Sequence, residues 1–414
     1  LFINYRVPGG LIPIAFTTVL GATIVIHLGR AGGSWLTRFF SMPVMVRIGL
    51  ISYSLYLWHW PVLVFSRYYL VQTTLSPVHS TMAVVVGFVV ATLSWRYLER
   101  PFRDCSMPIG RILIWIVCGC IVVAMGAGTM LVSHGFPGRF NPDVARIDSA
   151  VGTEYRCGLN QYISFGALHA CLMSLPSRNP ADATVALIGN SHAQMYAPLV
   201  SSILSANHTG GILVPLAGCL PMPDYNQSAT CMDLAAKNLS AVESMPHLRI
   251  VMVAMTWGME TEMFTKTGQV PKASQPQYLM DSLDRMITRL QQHDKAIVVV
   301  GPISSPGREE ASIVARQLAF HHLIDVPLFE PETSFMAREG ETIQHYASRN
   351  DIIVIRADKI QCNQGKCGYF HDGASLFADD SHLAQDALPL FRGVFETALQ
   401  NAFAHTSRSS PEFR

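Results

Sequence analysis

Ser191 stands in VALIGNSHAQM (185–195), where an apolar run that reads as a buried strand meets Gly189, Asn190, Ser191 and His192, ahead of residues able to open a helix. A serine at such a turn is either a nucleophile or a cap for the following helix, because small polar side chains satisfy the free amides of a helix start. A nucleophilic serine needs a base, and the base needs an orienting group. The segment LFADDSHLAQDA (376–387) offers both, since Asp379 and His382 are three residues apart. One turn of chain can then direct a carboxylate at one imidazole nitrogen while the other nitrogen faces the serine. Alone, Asp-x-x-His is equally a helix cap. Combined with GNSH at the end of a strand, it points to acyl chemistry.

These residues need a scaffold that brings distant segments together. Five short aliphatic runs, 184–188, 211–216, 249–255, 296–301 and 351–355, alternate with helix-like stretches. One such stretch is 277–292, in which Leu279, Met280, Leu283, Met286, Ile287 and Leu290 recur at helical spacing. Continuous apolar strands with intervening helices imply a parallel sheet covered on both faces. In open sheets of this kind ligands bind beyond the carboxyl ends of the strands, where Ser191 falls.

The first third of the chain is different. With 50% apolar and only 14% charged residues among 414, the composition points to membrane segments. Four apolar stretches, 11–28, 48–65, 78–97 and 112–132, each cover most or all of a ~30 Å hydrocarbon core. Arg30, Arg38 and Arg47 sit between the first two, and Arg96, Arg100, Arg103 and Arg111 between the last two, against Arg67 alone in the middle connection. By the positive-inside rule the Arg-rich loops are cytoplasmic, so everything after Val132 lies outside the cytoplasm. Several spans without a basic leader do not read as a signal peptide, and the absent initiator Met reads as a fragment.

Cysteine placement agrees with that sidedness. Cys105, Cys118 and Cys120 fall in or beside the membrane part, while Cys157, Cys171, Cys219, Cys231, Cys362 and Cys367 form an even set beyond it. Six cysteines allow 15 connectivities. Nearest neighbours would close three short loops in an oxidising compartment, the alternative being buried thiols. A metal site is not expected, because neither a CxxC pair nor an HExxH helix is present.

The strand, GNSHA and the C-terminal DDSHL resemble the SGNH hydrolase superfamily. Carried over, the resemblance implies Ser191 as nucleophile, His382 as general base and Asp379 as its orienter, with Asp380 set aside by the family spacing. Two features depart from the family pattern. Asn190 stands where Asp is common, and the Gly-x-Asn-Asp block is missing, its strand ending instead in AMTWGME with Trp257. The resemblance then leaves the amides of Ser191 and Gly218, the latter in PLAGCLP, as oxyanion-hole donors.

ISYSLYLWHWPVLVF (51–65) and SWRYLERPFRD (94–104) resemble the acyltransferase-3 family of membrane proteins. His59, between Trp58 and Trp60 within an apolar span, is either a functional group by virtue of its depth or a hydrogen-bonded member of an interfacial aromatic belt. Glu99, Arg100 and Arg103 read as a cytoplasmic anchor rather than a substrate cluster.

Together the resemblances imply about four transmembrane helices followed by an α/β three-layer SGNH-like domain with a five-stranded parallel sheet. The expected boundaries are a partial acyltransferase-3 domain over 1–132, an extracytoplasmic linker over 133–180, the SGNH-like domain over 181–405 and a disordered tail over 406–414. The implied activity is O-acetylation of a surface polysaccharide such as lipopolysaccharide O-antigen. The implied setting is a bacterial inner membrane, multi-pass, with the C-terminal domain in the periplasm. Acetyl-CoA is the expected donor of the complete protein, bound by N-terminal membrane spans missing here rather than by this segment. A carbohydrate acetylesterase or a catalytically inactive polysaccharide-binding domain are the alternatives. No basic run, phosphate loop or aromatic-and-basic patch argues for nucleic acid, and the net charge of +1 does not favour a partner drawn by long-range attraction.

Overall fold

The computed structural model describes residues 11–29, 35–103, 108–152, 157–158, 161–166, 168–174, 179–258 and 261–409. Of the positions discussed above, Arg30, Cys105, Met259, Glu260 and residues 410–414 lie outside them. Two compact units divide the chain, Leu1–Phe136 and Pro137–Arg414.

In the first unit the apolar stretches become α1 (Leu11–Gly29), α2 (Pro43–Leu70), α3 (Pro77–Ser94) and α4 (Ile109–Val132). Proline opens α2 and α3, where its missing N–H is harmless, and Ser76 caps α3 by accepting from the His79 amide. Three runs among the described residues are long and apolar enough to cross a membrane: Pro43–Leu70, Pro77–Arg103 and Ile109–Val132. The second of these continues α3 through a π-helical turn at Trp95–Glu99. Helices α2 and α3 pack together and bury Ile51 along with Ser54, Ala83, Gly87 and Ala91, the last four being small residues that allow close approach where lipid supplies no hydrophobic drive.

The second unit is built on a mixed sheet of seven strands: β1 (Tyr162–Phe165), β2 (Leu168–Ser174), β3 (Val185–Gly189), β4 (Gly211–Pro215), β5 (Ile250–Ala254), β6 (Ala296–Val300) and β7 (Ile353–Ile355). Their order is β1-β2-β4-β3-β5-β6-β7. The five expected strands are all present and mutually parallel. The sheet is nevertheless larger than five, because β1 and β2 add an antiparallel hairpin to the β4 edge. That hairpin lies within the segment expected to be a linker. Its strands are short and one carries a register shift between Leu172 and Ser174, so they show no clean period-two signal.

The flanking helices are α5 (Ser191–Ala206), α6 (Ala229–Glu243), α7 (Gln275–Gln291), α8 (Glu332–Ala347) and α9 (Leu388–Ser409). Side chains alternate across each strand, so Val185 and Leu187 join a core with Tyr196, Val200, Phe391 and Phe395 of α5 and α9. Ala186 and Ile188 face the opposite core, with Leu239 of α6 and Leu279, Leu283 and Met286 of α7. Helix α9 runs to Ser409, several residues into the stretch expected to be a disordered tail.

From β3 the chain steps first to β4 on one side and then, through β5, to the other. A crevice opens at such a reversal of direction, and Ser191 follows β3 directly.

Candidate active site

The turn that carries Ser191 is fixed by its neighbours. Gly189 has φ +148°, and a Cβ there would lie 1.7 Å from the carbonyl oxygen of Ala254 on the adjacent strand, so only glycine fits. Asn190 is buried and caps α5. Its Oδ1 accepts from the amide of His192 at 3.0 Å and from the amide of Thr256 at 3.3 Å, which ties the turn to the end of β5. An amide side chain therefore does at this position what the more common Asp would do, without bringing a buried charge. Ser191 is the first residue of α5, so its own amide has no intrahelical acceptor.

The second half of the site is a tight loop just before α9. Phe377 bridges Leu383, and the Ala378 amide donates to the His382 carbonyl at 2.8 Å. This loop is held against α5 by the Leu383 amide, 3.3 Å from Met195 Sδ. The result joins residues far apart in the chain: His382 Nε2 lies 2.7 Å from Ser191 Oγ, and His382 Nδ1 lies 2.8 Å from Asp379 Oδ2.

Burial alone would raise the Asp379 carboxyl. Hydrogen bonds from the His382 ring and from the Ser381 and His382 amides outweigh that effect and pull it down to about 2. It is thus a carboxylate facing an imidazole whose other nitrogen meets a hydroxyl. Asp380 is arranged differently, with Oδ1 accepting from the Ser381 hydroxyl at 2.9 Å and its carbonyl accepting from the Gly307 amide at 2.9 Å. Both carboxylates and the His382 ring fall within 4.8 Å of one another. Since both ring nitrogens already face Ser191 and Asp379, this cluster is poorly suited to hold a metal ion.

Gly218, exposed and with φ +76°, lies in the turn after β4. The Leu216 amide donates to the Gly189 carbonyl at 2.8 Å, so this turn is tied to the strand that carries the serine. The Gly218 amide has no acceptor among the described residues. A Cys219–Cys231 disulfide anchors the same turn to α6, and Cys157–Cys171 and Cys362–Cys367 are also bonded. Trp257, in the place of the missing block, donates its Nε1–H to the Val300 carbonyl at 3.1 Å and is thereby occupied.

A residue next to Ser191 on a tight turn is expected to point elsewhere and not to fold back as its base, yet the His192 ring faces the site. Its ring centroid is 5.1 Å from that of His382. Burial first, and then the neighbouring His382 ring, hold it down to about 3, with Asp379 only partly opposing, so it is a neutral imidazole. It lines a cleft of about 330 Å³ with Tyr196, Trp257, Ser305, Arg338 and Glu339 among others. The contributions of Arg338 and Glu339 were not visible in the sequence, because they come from a helix, α8, whose place over the sheet no local pattern reports.

In the membrane unit, His59 Nδ1 lies 2.6 Å from the Tyr56 carbonyl, and the ring lines a groove of about 400 Å³ between α2 and α3 with Tyr56, Ala83, Gly87 and Phe88. Glu99 accepts from Ser54 at 2.7 Å, which fastens the two helices, and pairs with Arg103 one turn along its own run at 2.9 Å. Cys118 and Cys120 are free and exposed on α4.

A family model described as "SGNH domain (fused to AT3 domains)" matches residues 156–397. The O-acetyltransferase OatA of Staphylococcus aureus (strain NCTC 8325 / PS 47) is 35% identical over 95 residues, 23% of this chain and 15% of that protein. A further relative from S. aureus (strain COL), SACOL0978, is 35% identical over 100 residues, 24% of this chain and 16% of its own length. The match thus spans about one sixth of these relatives. Among solved structures, the periplasmic domain of the Salmonella ser. Paratyphi A lipopolysaccharide acetyltransferase is similar at 16% identity and a TM-score of 0.40, covering 54% of this chain and 84% of that one.

Proposed function

This chain belongs to the family of SGNH domains fused to AT3 domains, and from that membership we propose that it transfers an acyl group, acetyl in the first instance, to a hydroxyl of a cell-surface polysaccharide through an acyl-enzyme at Ser191. The observation that carries the reading is the 2.7 Å contact between Ser191 Oγ and His382 Nε2.

In this reading Ser191 Oγ bonds to the acyl carbonyl carbon as its proton passes to His382 Nε2. Asp379 holds the imidazole in the tautomer with Nδ1–H and stabilises the imidazolium that forms. The Ser191 and Gly218 amides stabilise the oxyanion. Collapse expels the leaving group with the proton from Nε2 and leaves an ester on Ser191. A sugar hydroxyl then gives its proton to Nε2 and attacks that ester, and the serine regains a proton as the new ester departs. Water in place of the sugar would turn the same site into an esterase.

Acetyl-CoA is the proposed acetyl source of the complete protein, reaching Ser191 through the membrane part together with further spans. The Arg-rich connections and three disulfides favour a multi-pass protein of a bacterial inner membrane with the Pro137–Arg414 unit in the periplasm. The test is to treat the purified chain in detergent with 4-nitrophenyl acetate, look for acetyl-Ser191 by mass spectrometry, and add a glycan acceptor. Acetylated glycan at the expense of free acetate upholds transfer. Acetate alone at saturating acceptor indicates an esterase, and the absence of acetyl-Ser191 indicates a domain that only binds.

A further inference from the structure

The cleft beside His192 has the construction of a binding site for one sugar ring. Its volume of about 330 Å³ lies at the small end of the ~300–1,000 Å³ range of ligand pockets, suited to a ring rather than a chain. It adjoins the hydrolase-like residues on two sides. Thr256 on one wall is hydrogen-bonded to Asn190, the residue before the serine, and Gly307 on another is hydrogen-bonded to Asp380 in the histidine loop.

Trp257 is fixed from behind: its Nε1–H is held by the Val300 carbonyl, and Tyr346 packs against it with ring centroids 5.5 Å apart. An indole that is already immobilised, with further surface lining the cleft, is a preformed platform for the C–H face of a pyranose. Arg338 is already spent. Two of its nitrogens meet the Glu330 carboxylate at 2.6 and 3.0 Å, and its Nε meets Glu339 at 3.2 Å. One guanidinium thus faces two carboxyl groups, and the cleft has no free cation to offer an anionic ligand from this cluster.

We infer that this cleft is the acceptor subsite and that it selects an uncharged pyranose, with Trp257 stacking on the ring and Glu339 and His192 hydrogen-bonding its hydroxyls. The inference rests on the acyl-transfer reading in naming the ligand as acceptor. Burial chiefly, with Glu330 adding, raises the Glu339 carboxyl against the opposing pull of Arg338. The Glu339 carboxyl accepts from a hydroxyl and disfavours a second carboxylate beside it, and the neutral His192 ring both donates and accepts, a set that matches a hydroxyl and not a carboxylate.

Saturation-transfer NMR on the full chain in detergent tests this, with methyl α-D-glucopyranoside and methyl α-D-glucopyranosiduronate as probes. The glucoside should give a saturable signal, with the uronate at least about tenfold weaker, a difference of ~1.4 kcal/mol. Trp257→Leu should weaken glucoside binding by about tenfold, Glu339→Gln by a smaller factor, and Trp257→Phe, which keeps an aromatic face, least of all. Should Trp257→Leu fail to fold, the Trp257→Phe and Glu339→Gln pair decides. Equal binding of the two probes, or binding by the variants equal to wild type, overturns the inference. Acetyl-Ser191 measured on the same samples keeps the two claims apart. Its formation without sugar binding removes only the subsite, and sugar binding without it keeps the sugar site and removes only the acyl-transfer reading.

Discussion

The Oγ of Ser191 and the Nε2 of His382 meet at 2.7 Å although 191 residues separate them in the chain. Nothing local enforces this contact. It exists because β3 and the loop before α9 end at the same edge of the sheet. Ser191→Ala and His382→Ala are each expected to lower acyl transfer by at least about a thousandfold, with the double variant little worse than either, since residues acting as a unit lose activity non-additively. Rates of 4-nitrophenyl acetate turnover across the four proteins give the answer, and additive losses would contradict a coupled pair.

The two neighbouring aspartates should behave differently. Asp379→Asn removes the charge facing His382 Nδ1 and allows the wrong tautomer, so turnover should fall by roughly a thousandfold or more. Asp380→Asn alters a carboxylate whose hydrogen bond goes to the Ser381 hydroxyl and should cost far less. The reverse ranking in the same assay would reassign the orienting carboxylate.

Asn190 bridges two strand ends through a single oxygen. Asn190→Ala leaves the partly buried Thr256 amide and the first turn of α5 without their acceptor and should lower stability by about 1–3 kcal/mol. Asn190→Asp keeps the acceptor and should be tolerated much better. Denaturant midpoints of the full chain, read by hydrogen exchange in α5, compare them. Equal losses would mean that the side-chain oxygen does not matter.

At Gly189 the expectation is harsher. An added Cβ would meet the Ala254 carbonyl at 1.7 Å, in backbone contact with no flexible side chain to yield, at a φ that L-residues rarely adopt. Gly189→Ala should therefore destabilise by more than about 4 kcal/mol, at the extreme of single substitutions. Folded yield and thermal melting report it, and a near-native melt would show that β3 and β5 can separate without loss.

His192 makes a prediction about acid. Its folded value is depressed to about 3 while the unfolded chain titrates near 6.5, so between those limits the unfolded state binds more protons. Stability should then be full above about pH 6.5 and decline as pH falls toward 3, with a slope of up to ~1.4 kcal/mol per pH unit from this group. His192→Asn should flatten the profile. If wild type and variant show parallel profiles between pH 6.5 and 4, the buried-imidazole account fails.

Much of this architecture was legible because it is locally encoded. The runs around Leu187, Leu213, Met252 and Val298 are buried on both faces and so are continuously apolar, and the half-buried edge run around Val354 is equally apolar, which marks a parallel strand without any neighbour in view. The motif around Ser191 and the Asp379/His382 spacing likewise carry their own signal. The β1–β2 hairpin does not, since it is an edge element of only a few residues, half-exposed and interrupted by a register shift. The direction of His192 was illegible for a related reason. The argument that it could not serve as the base is compatible with the structure, but its direction is set by the packing of α5, and adjacency in sequence says nothing about that. Glu339 and Arg338 belong to a helix whose amphipathic pattern shows which face is buried but not what lies opposite.

The separation of Ser191 and His382 also bears on timing. A chain made from its N-terminus presents the serine early, with β3 and α5 able to form around it, while the histidine loop and α9 follow much later. Until that final helix seats Phe391 and Phe395 against Tyr196, the serine is an ordinary alcohol with no base within reach. On the acyl-transfer reading, the docking of α9 is therefore the event that arms the serine, and a chain cut short before α9 would carry an inert hydroxyl instead of an unguarded nucleophile.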